Sequence, residues 1–298
     1  MLQVENLNKS FSDKQVLFDV SFTVNNGQIM GLVGKNGSGK TTLFHSILKF
    51  VKYKGSITIN DHSFSASDYN SVGYLPEERS LMPKLTVLQQ VTFLASLKGM
   101  DKKAVKEKLQ VWMKKLAVKG TLNDKIKNLS KGNQQKIQLI ATLIHDPDLI
   151  ILDEPFSGLD PVNVDLMKQV ILEQKKRGAT IIFSDHDMSN VEELCDSIVM
   201  INNGKIVLNG LVNDVRNSFG LTRLFIRSQL DLTQVQQLPG VEKAILQNNG
   251  MYKIWLEKPE FGKEIFNELS QGQYLRTFDQ EPPTLNEIFK IKAGENNE

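Results

Sequence analysis

The sequence predicts an α/β protein with a mostly parallel core sheet, followed by a second, smaller α+β domain. Short apolar runs at 29–33, 149–152 and 180–183 are separated by stretches with helical periodicity. Strands of a parallel sheet are apolar on both faces because helices cover both sides. A glycine-rich segment at 34–41 joins the first run to a helix, and the pattern changes after residue 216.

The composition is that of a globular chain without covalent cross-links. Its 298 residues suffice for about two domains at ~150 residues each. Lys and Arg number 36 against 34 Asp and Glu, and this balance excludes a histone-like tail or a strongly acidic chain. The single cysteine, Cys195, excludes an intrachain disulfide framework and a multi-cysteine metal cluster. No run reaches the ~20 apolar residues of a spanning helix, and residues 1–6 lack a secretory leader, so we expect a reduced compartment.

The first thirty residues predict a sheet. Apolar residues alternate with mostly polar neighbours, as in a half-buried strand: Val16, Phe18, Val20, Phe22 and Val24. Asn25-Asn26-Gly27 is a turn signal that ends this strand before the apolar run begins. The glycine-rich segment then leads into a helix from Lys40 to about Phe50.

Residues from about 84 to 145 have the periodicity of helices. One face is apolar at helical spacing: Val105, Leu109, Trp112 and Leu116. The surrounding lysines could contact nucleic acid or phospholipid, although charge runs of this kind more often form a solvated face. A further helix follows Ser130 and ends before Asp146-Pro147, and another is expected at about 161–177.

Past residue 216 the pattern is that of a small α+β unit. We expect strands at 224–226, 241–247, 251–256 and 273–279, and helices at 231–238, 261–270 and from about 284. Asn248-Asn249-Gly250 is a strong hairpin signal between the two middle strands. The order βαββαβ predicts a ferredoxin-like domain over 216–298, after a first domain over 1–215.

The glycine-rich segment fits the phosphate-binding pattern G-x-x-x-x-G-K-[ST]. A chance glycine-rich turn is the alternative, but an apolar strand precedes the segment and a helix follows it. Glycines let backbone N–H groups approach phosphate oxygens, and a helix N-terminus attracts anions. Lys40 would reach the outer phosphates and the Thr41 hydroxyl would bind Mg²⁺. The candidate nucleotide contacts are Gly34, Lys35, Asn36, Gly37, Ser38, Gly39, Lys40, Thr41 and Thr42.

Two acids end the apolar run at 149–152. Asp153 comes to the C-terminal end of the strand, where a carboxylate can hold Mg²⁺ through water. Glu154 is placed to polarise an attacking water, which is general-base work. A simple strand-ending turn is the alternative, but packing does not explain two consecutive acids there.

Further motifs resemble those of ABC-type ATPases. The segment 129–135, Leu-Ser-Lys-Gly-Asn-Gln-Gln, is similar to the family's signature motif, normally Leu-Ser-Gly-Gly-Gln. In the family's order, Ser157-Gly158-Leu159-Asp160 resembles the D-loop and His186 the switch histidine, while Phe11 and Glu77 lie at the positions of the adenine-stacking aromatic and the Q-loop glutamine. The resemblance covers residues 1 to about 215. It implies a P-loop NTPase fold with a mostly parallel core sheet, an antiparallel β subdomain and a helical subdomain at about 84–130.

The resemblance also implies roles for single residues. Ser130 and Gly132, at the start of a helix, would form a second anion site, which in the family binds the γ-phosphate held by the opposite subunit. One phosphate loop and one signature per chain then imply two ATPase subunits, head to tail, with two ATP between them. His186 would contact the γ-phosphate and hold the attacking water. For Phe11 we favour adenine stacking over a core role, because it lies in a polar segment. The remaining histidines are expected to be structural: His45, His62 and His145.

Two features depart from the family pattern. Glu77 replaces the Q-loop glutamine, and its carboxylate could coordinate Mg²⁺ or repel the γ-phosphate; we expect a metal ligand. The signature has Lys131 and Asn133 where glycine and glutamine are usual. Lys131 adds a cation near a phosphate site, so we expect binding to be retained.

These motifs imply an ATP-binding and ATP-hydrolysing subunit of an ABC transporter, with ATP and Mg²⁺ as cofactors. Its transmembrane permease would be a separate chain docked near 84–130, which places this subunit in the cytoplasm on the inner face of the cell membrane. Residues 73–79 and the C-terminal domain resemble ABC-2 type exporters of drugs and sodium. The alternatives are a soluble ABC ATPase acting on ribosomes or DNA and a nucleotide-dependent regulator. No nucleic-acid partner is expected, because a near-neutral chain gives no electrostatic footprint for one.

Overall fold

The computed structural model describes residues 1–78, 80–271 and 274–294 and divides the chain into two compact units. The first unit is Met1–Gly210, and the second begins at Leu211. The boundary expected after residue 215 falls inside a helix of the second unit, Val212–Asn217. Arg216 Nε donates to the Pro283 carbonyl at 3.1 Å, so this helix is held by residues that follow it.

The described residues of the first unit form two sheets. Their strands are β1 (Leu2–Phe11), β2 (Lys14–Val24), β3 (Ile29–Val33), β4 (Lys54–Ile59), β5 (His62–Ser63), β6 (Val72–Leu75), β7 (Leu149–Asp153), β8 (Thr180–Ser184), β9 (Ser197–Asn202) and β10 (Lys205–Leu211). The first sheet is antiparallel with the order β2-β1-β4-β5. The second has the order β10-β9-β3-β8-β7-β6, and every pairing from β9 to β6 is parallel. The predicted parallel core sheet and antiparallel β subdomain are confirmed.

The alternation expected along β2 is interrupted. Leu17, rather than Phe18, is buried, and the inward pattern resumes only at Val20. Asp19 has a φ of 49°, and the β1–β2 register shifts beside it, which are the features of a β-bulge. The prediction that Phe18 is a core residue was therefore wrong; its ring is half-buried beneath the Lys205 ammonium.

The α-helices of the first unit, except the first, begin at residues whose side chains cap them. The helices are α1 (Lys40–Ile47), α2 (Val87–Ser96), α3 (Lys102–Lys115), α4 (Lys131–Leu143), α5 (Pro161–Lys176) and α6 (Met188–Leu194). Thr86, Asp101, Ser130 and Asp160 each accept a backbone N–H of the helix that follows, which is the usual N-cap interaction. The apolar face predicted for α3 is buried, and most of the lysines around it are exposed.

Helix α1 packs into the main hydrophobic core of this unit. Its residues Leu43, Phe44 and Ile47 are fully buried in a cluster with side chains of both sheets. Loss of such a side chain typically costs about 2–5 kcal/mol, so the helix is firmly placed. Because these side chains anchor the helix, they also fix its first turn, where the glycine-rich segment ends.

The second unit continues with α7 (Val212–Asn217), β11 (Arg223–Ile226), α8 (Leu232–Gln236), β12 (Val241–Leu246), β13 (Tyr252–Leu256), α9 (Phe261–Ser270), β14 (Phe278–Glu281) and α10 (Leu285–Lys292). Its sheet is antiparallel with the order β12-β13-β11-β14, which is that of a ferredoxin-like βαββαβ unit. The last strand was expected at 273–279, but its described part runs 278–281, and Gln273 lies outside the described residues.

Among the residues that the structure describes, no helix combines the length and the apolar character that crossing a membrane requires.

Candidate nucleotide site

The glycine-rich segment connects β3 to α1 in a conformation that glycine makes possible. A Cβ at Gly34 would lie 2.3 Å from the Ile201 carbonyl oxygen, so any larger residue would displace the backbone of β9. Gly37 and Gly39 have φ values of 76° and 113°, in the left-handed region that other residues rarely adopt. The loop therefore keeps its curvature only with glycine at these positions.

Polar groups around this loop are left for a ligand. Ser38 is 4% exposed, and its hydroxyl has no hydrogen-bond partner among the described residues. Helix α1 begins at Gly39, where no described side chain caps its first N–H groups and no acid stands in the first turn. Free helix N–H groups and a buried hydroxyl fit a phosphate, whose oxygens accept hydrogen bonds and complement the helix dipole.

Lys40 supplies the positive charge of the loop. Its side chain is 9% exposed, and Nζ donates to the Gly34 carbonyl at 2.7 Å and the Lys35 carbonyl at 3.4 Å. Burial lowers the pKa of the Lys40 ammonium, while the carboxylates of Glu154 and Asp153 act in the opposite direction. Lys40 is thus a buried cation held over the loop and facing two acids.

One cavity of about 350 Å³ brings six of the nine predicted loop residues together with three predicted acids, while Gly34, Lys35 and Ser38 are not among its lining residues. Its lining is Val16, Asn36, Gly37, Gly39, Lys40, Thr41, Thr42, Glu77, Asp153 and Glu154. The loop, the strand-ending acids and the residue at the glutamine position therefore face the same space, although Glu77 and Asp153 are 76 positions apart along the chain. Val16 was assigned to a strand and not to the site; its position next to the loop depends on the packing of β2.

Asp153 is the last residue of β7 and is 2% exposed. The Ser184 hydroxyl donates to Asp153 Oδ1 at 2.6 Å. Burial raises the pKa of the Asp153 carboxyl, and the Ser184 hydrogen bond offsets this only in part. A buried carboxylate at the edge of a phosphate cavity, with few neutralising partners, has the chemistry of a metal ligand.

Glu154 and His186 form a close pair. Glu154 Oε1 lies 2.6 Å from His186 Nε2, and the side chains are 11% and 53% exposed, respectively. Burial raises the pKa of the Glu154 carboxyl, while His186 lowers it in part. A base whose pKa is raised toward neutrality is better matched to taking a proton at working pH. The structure thus places the predicted base and the predicted histidine in direct contact.

Phe11 is not among the described residues that line this cavity. It ends β1 with its ring 46% exposed, and Lys9 Nζ lies 4.2 Å from the ring centroid. Exposure leaves one aromatic face available for stacking, so its role stays a prediction.

Ser130 and Gly132 lie at the start of α4 and do not line the cavity of the phosphate loop. The Ser130 hydroxyl accepts hydrogen bonds from the Asn133 backbone N–H at 3.3 Å and from Asn133 Nδ2 at 2.9 Å. A Cβ at Gly132 would come within 3.3 Å of Leu159 Cδ2. The signature-like segment is therefore a separate, exposed helix start, packed beside the segment that resembles the D-loop.

Two buried glutamines on α4 lie near the site although no sequence motif includes them in it. Gln135 Nε2 donates to the Pro155 carbonyl at 2.9 Å, one residue past Glu154. Gln138 Nε2 donates to the Pro76 carbonyl at 3.2 Å, one residue before Glu77. Their helical spacing was visible, but only the folded chain shows which carbonyls they reach. Helix α4 thus supports the backbone beside both acids.

The remaining histidines lie outside the cavity. His145 Nε2 lies 3.1 Å from the Val72 carbonyl oxygen, and burial lowers the pKa of the His145 imidazole to about 4. His62 contacts Asp68 at 2.9 Å, and His45 packs against the ring of Phe50.

Comparison with known proteins agrees with this geometry. Residues 17–157 match the ABC transporter family, and residues 210–293 match the C-terminal domain of DrrA1-3-like ATP-binding proteins. The chain is 39% identical over 295 residues to the ABC transporter ATP-binding protein YhaQ of Bacillus subtilis, covering 99% of each protein. It is 30% identical over 239 residues to the lipopolysaccharide export system ATP-binding protein LptB of Haemophilus influenzae, covering 78% of this chain and 99% of LptB.

A solved structure of the ATP-binding subunit of an ABC transporter has the same fold. It matches with a TM-score of 0.69 at 30% identity and covers 74% of this chain and 93% of its own.

Proposed function

The chain belongs to the ATP-binding proteins of ABC transporters and is an ATPase, and from that premise we propose that it drives a separate membrane permease of the ABC-2 exporter type. The observation that carries the enzymatic half is the single cavity in which Lys40, Asp153 and Glu154 meet, with His186 against Glu154. The exporter half is supported by the match of the second unit to DrrA1-3-like proteins. The name of LptB, an export-system protein, points in the same direction.

In the proposed reaction the bound ATP is cleaved at its γ-phosphate. Glu154 takes a proton from a water molecule, whose oxygen forms a bond to the γ-phosphorus. The bond from that phosphorus to the β–γ bridging oxygen breaks, and its electron pair leaves with ADP. Lys40 balances charge on the outer phosphates, and His186 holds the Glu154 carboxylate and the water. Ser38 and the first N–H groups of α1 bind the phosphates before and during the step.

Mg²⁺ fits the oxygen donors around the cavity, and when bound it would neutralise charge on the outer phosphates. We propose that the Thr41 hydroxyl, Asp153 and Glu77 hold it, directly or through water. Glu77 contributes a full negative charge where the family has a neutral amide.

The exposed signature-like helix start supports a head-to-tail pair of subunits. In one chain, Ser130 and Gly132 stand apart from the phosphate loop, so they are free to meet the nucleotide of a second copy. Lys131 is exposed beside them and would add a positive charge toward that nucleotide. Two ATP molecules would then lie between two ATPase subunits.

An apolar groove offers the surface for the permease. It encloses about 180 Å³ between the end of α1, β6 and the helices α2 and α4. On its rim Phe50 is 56% exposed and Leu97 is 64% exposed, so two large apolar side chains line one groove, and an apolar surface of this kind fits an interaction site. We propose that a cytoplasmic helix of the permease docks here, which would hold this subunit at the inner face of the cell membrane. Proteins of the transporter family are the relatives found, so a role on ribosomes or DNA, or as a regulator without catalysis, is not favoured.

The proposal is tested first by asking whether a neighbouring gene encodes a multi-span membrane protein, and then by co-purification of that protein with this subunit. We expect Phe50→Asp with Leu97→Asp to reduce recovery of that protein about tenfold or more, because two charges enter the apolar groove. ATP hydrolysis by the isolated subunit should stay within about twofold. Val111→Asp is the matched control, since Val111 is 68% exposed on α3, away from the groove. Equal recovery with the double variant and the control would contradict the docking site.

A further inference from the structure

We infer that Ser184 is a positioning residue for ATP hydrolysis, which holds the Glu154 backbone and the Asp153 carboxylate in their working arrangement. The inference rests on the proposed role of Glu154 as the base. Ser184 ends β8 directly opposite Asp153, the last residue of the neighbouring strand β7. Its side chain is fully buried, so no solvent competes for the hydroxyl.

The Ser184 hydroxyl makes one hydrogen bond to each acid residue. It donates its proton to Asp153 Oδ1 at 2.6 Å. The same oxygen accepts the backbone N–H of Glu154 at 3.1 Å. That N–H is also 3.1 Å from the Ser184 carbonyl oxygen, so one residue supplies both acceptors. A single side chain therefore fixes the positions of two consecutive acids relative to each other.

The conformation of Glu154 explains why such a hold is needed. Its φ is 51°, in the left-handed region, which is unfavourable for a residue that carries a Cβ. A strained backbone of this kind persists only where the surroundings hold it in place. The paired acceptors on Ser184 do so, and they turn the Glu154 side chain toward the cavity.

The segment that begins at Ser184 also holds the carboxylate of Glu154. His186 follows Ser184 by two positions, and its Nε2 lies 2.6 Å from Glu154 Oε1. Glu154 is therefore fixed at its backbone by Ser184 and at its carboxylate by His186. Removal of the hydroxyl would leave the carboxylate present but less well aligned with the attacking water. A misplacement on the order of 1 Å costs up to ~100-fold in rate.

Ser184→Ala removes the hydroxyl, and a control variant shows whether loss of any buried serine hydroxyl has the same effect. Ser46 is the matched control, because it is also fully buried and its hydroxyl donates to the Thr42 carbonyl of its own helix at 2.8 Å. Ser184→Thr keeps the hydroxyl and serves as the rescue variant. Each variant is examined as the full chain for kcat, for binding of trinitrophenyl-ATP by fluorescence, and for melting temperature. Glu154→Gln is measured in parallel.

We expect Ser184→Ala to lower kcat by about tenfold or more, with nucleotide affinity and melting temperature close to wild type. Ser46→Ala should leave kcat within about twofold, and Ser184→Thr should recover most of the turnover. The inference is overturned if Ser184→Ala keeps normal kcat, or loses nucleotide affinity as much as kcat. It is also overturned if a folded Ser184→Thr is no more active than the alanine variant.

The proposed role of Ser184 and the proposed role of Glu154 can be disproved separately. An inactive Glu154→Gln beside a fully active Ser184→Ala would remove Ser184 and leave the base assignment intact. An active Glu154→Gln would remove the base itself, and with it the residue that Ser184 positions.

Discussion

Two partly buried glutamates, one in each unit, differ in how their charge is balanced. Glu287, on α10, lies 3.1 Å from Arg223 Nε and 3.2 Å from Lys253 Nζ and accepts the Thr284 backbone N–H at 2.9 Å. Burial favours the neutral acid, but these partners outweigh it and lower the pKa of Glu287 to about 2. Among the described residues, His186 is the ion-pair partner of the Glu154 carboxylate. Burial, with the negative charges of Glu77 and Asp153, raises the pKa of Glu154, and His186 and Lys40 offset this only in part.

This difference in charge balance distinguishes a glutamate that stabilises the fold from one whose proton affinity suits general-base catalysis. Glu287 is surrounded by cations and donors, so its charge is fully used in holding α10 against the sheet. Glu154 is buried beside two further acids without comparable compensation, which keeps its affinity for a proton high. On this contrast we propose Glu154, and not Glu287, as the reactive acid.

The largest effect is expected from Glu154→Gln. Turnover should fall by about 100-fold or more, because general-base catalysis typically contributes 10²–10⁴-fold. ATP binding should remain, since the phosphate loop is unchanged, and the variant should accumulate as a closed dimer. Phosphate release and size-exclusion chromatography with ATP measure the two effects. Glu107→Gln, an exposed acid on α3, is the control, and near-normal turnover in Glu154→Gln would remove that residue from the mechanism.

We expect Glu287→Gln to lower the stability of the fold and to leave the rate of ATP hydrolysis unchanged. The neutral side chain leaves Arg223 and Lys253 without their carboxylate, at a cost of about 2 kcal/mol in the free energy of unfolding. Urea titration measures this cost, and Glu264→Gln, an exposed acid on α9, controls for loss of a charge. Equal stability of the two variants would show that the ion pairs contribute nothing.

The same variant should respond differently to acid. The pKa of Glu287 is lowered from 4.5 to about 2 on folding, so its carboxylate stabilises the fold above pH 4.5. That contribution is lost as the pH falls from 4.5 toward 2. The stability difference between wild type and Glu287→Gln should therefore narrow over this interval, and a constant difference would argue against a charge effect.

The smallest effect is expected from Glu77→Ala, which tests the third acid near Glu154. If Glu77 helps to hold Mg²⁺, the Mg²⁺ concentration for half-maximal hydrolysis should rise about tenfold. A Mg²⁺ titration at fixed ATP measures it. Glu78→Ala is the neighbouring control, because Glu78 is exposed and is not among the described residues lining the cavity. Unchanged Mg²⁺ dependence in Glu77→Ala would end its assignment as a metal ligand.

Much of the fold could be predicted because its signals are local. The apolar runs that become β3, β7 and β8 and the hairpin at 248–250 are periodic or compositional features. The mostly parallel sheet of the first unit and the sheet of the second unit follow from them. The register of β2 could not be predicted in this way. The bulge at Asp19 depends on pairing with a second strand, and it moves Phe18 away from the core.

The candidate site also contains residues that form local motifs and residues whose role depends on distant contacts. Glycines, Lys40 and the strand-ending acids appear as spaced motifs, so their convergence in one cavity could be expected. Ser184 and Gln135 carry no motif, because their importance lies in hydrogen bonds to particular atoms of distant segments. Only strand register and helix packing decide which atoms those are.

The left-handed backbone at residue 154 sets stability against activity. Glycine would adopt this conformation without a clash, and a chain selected for stability alone would gain by carrying it there. The sequence instead keeps a glutamate, and the fold around it is less stable than it could be. Variants chosen only for a higher melting temperature would be drawn toward replacing the residue on which turnover is proposed to depend.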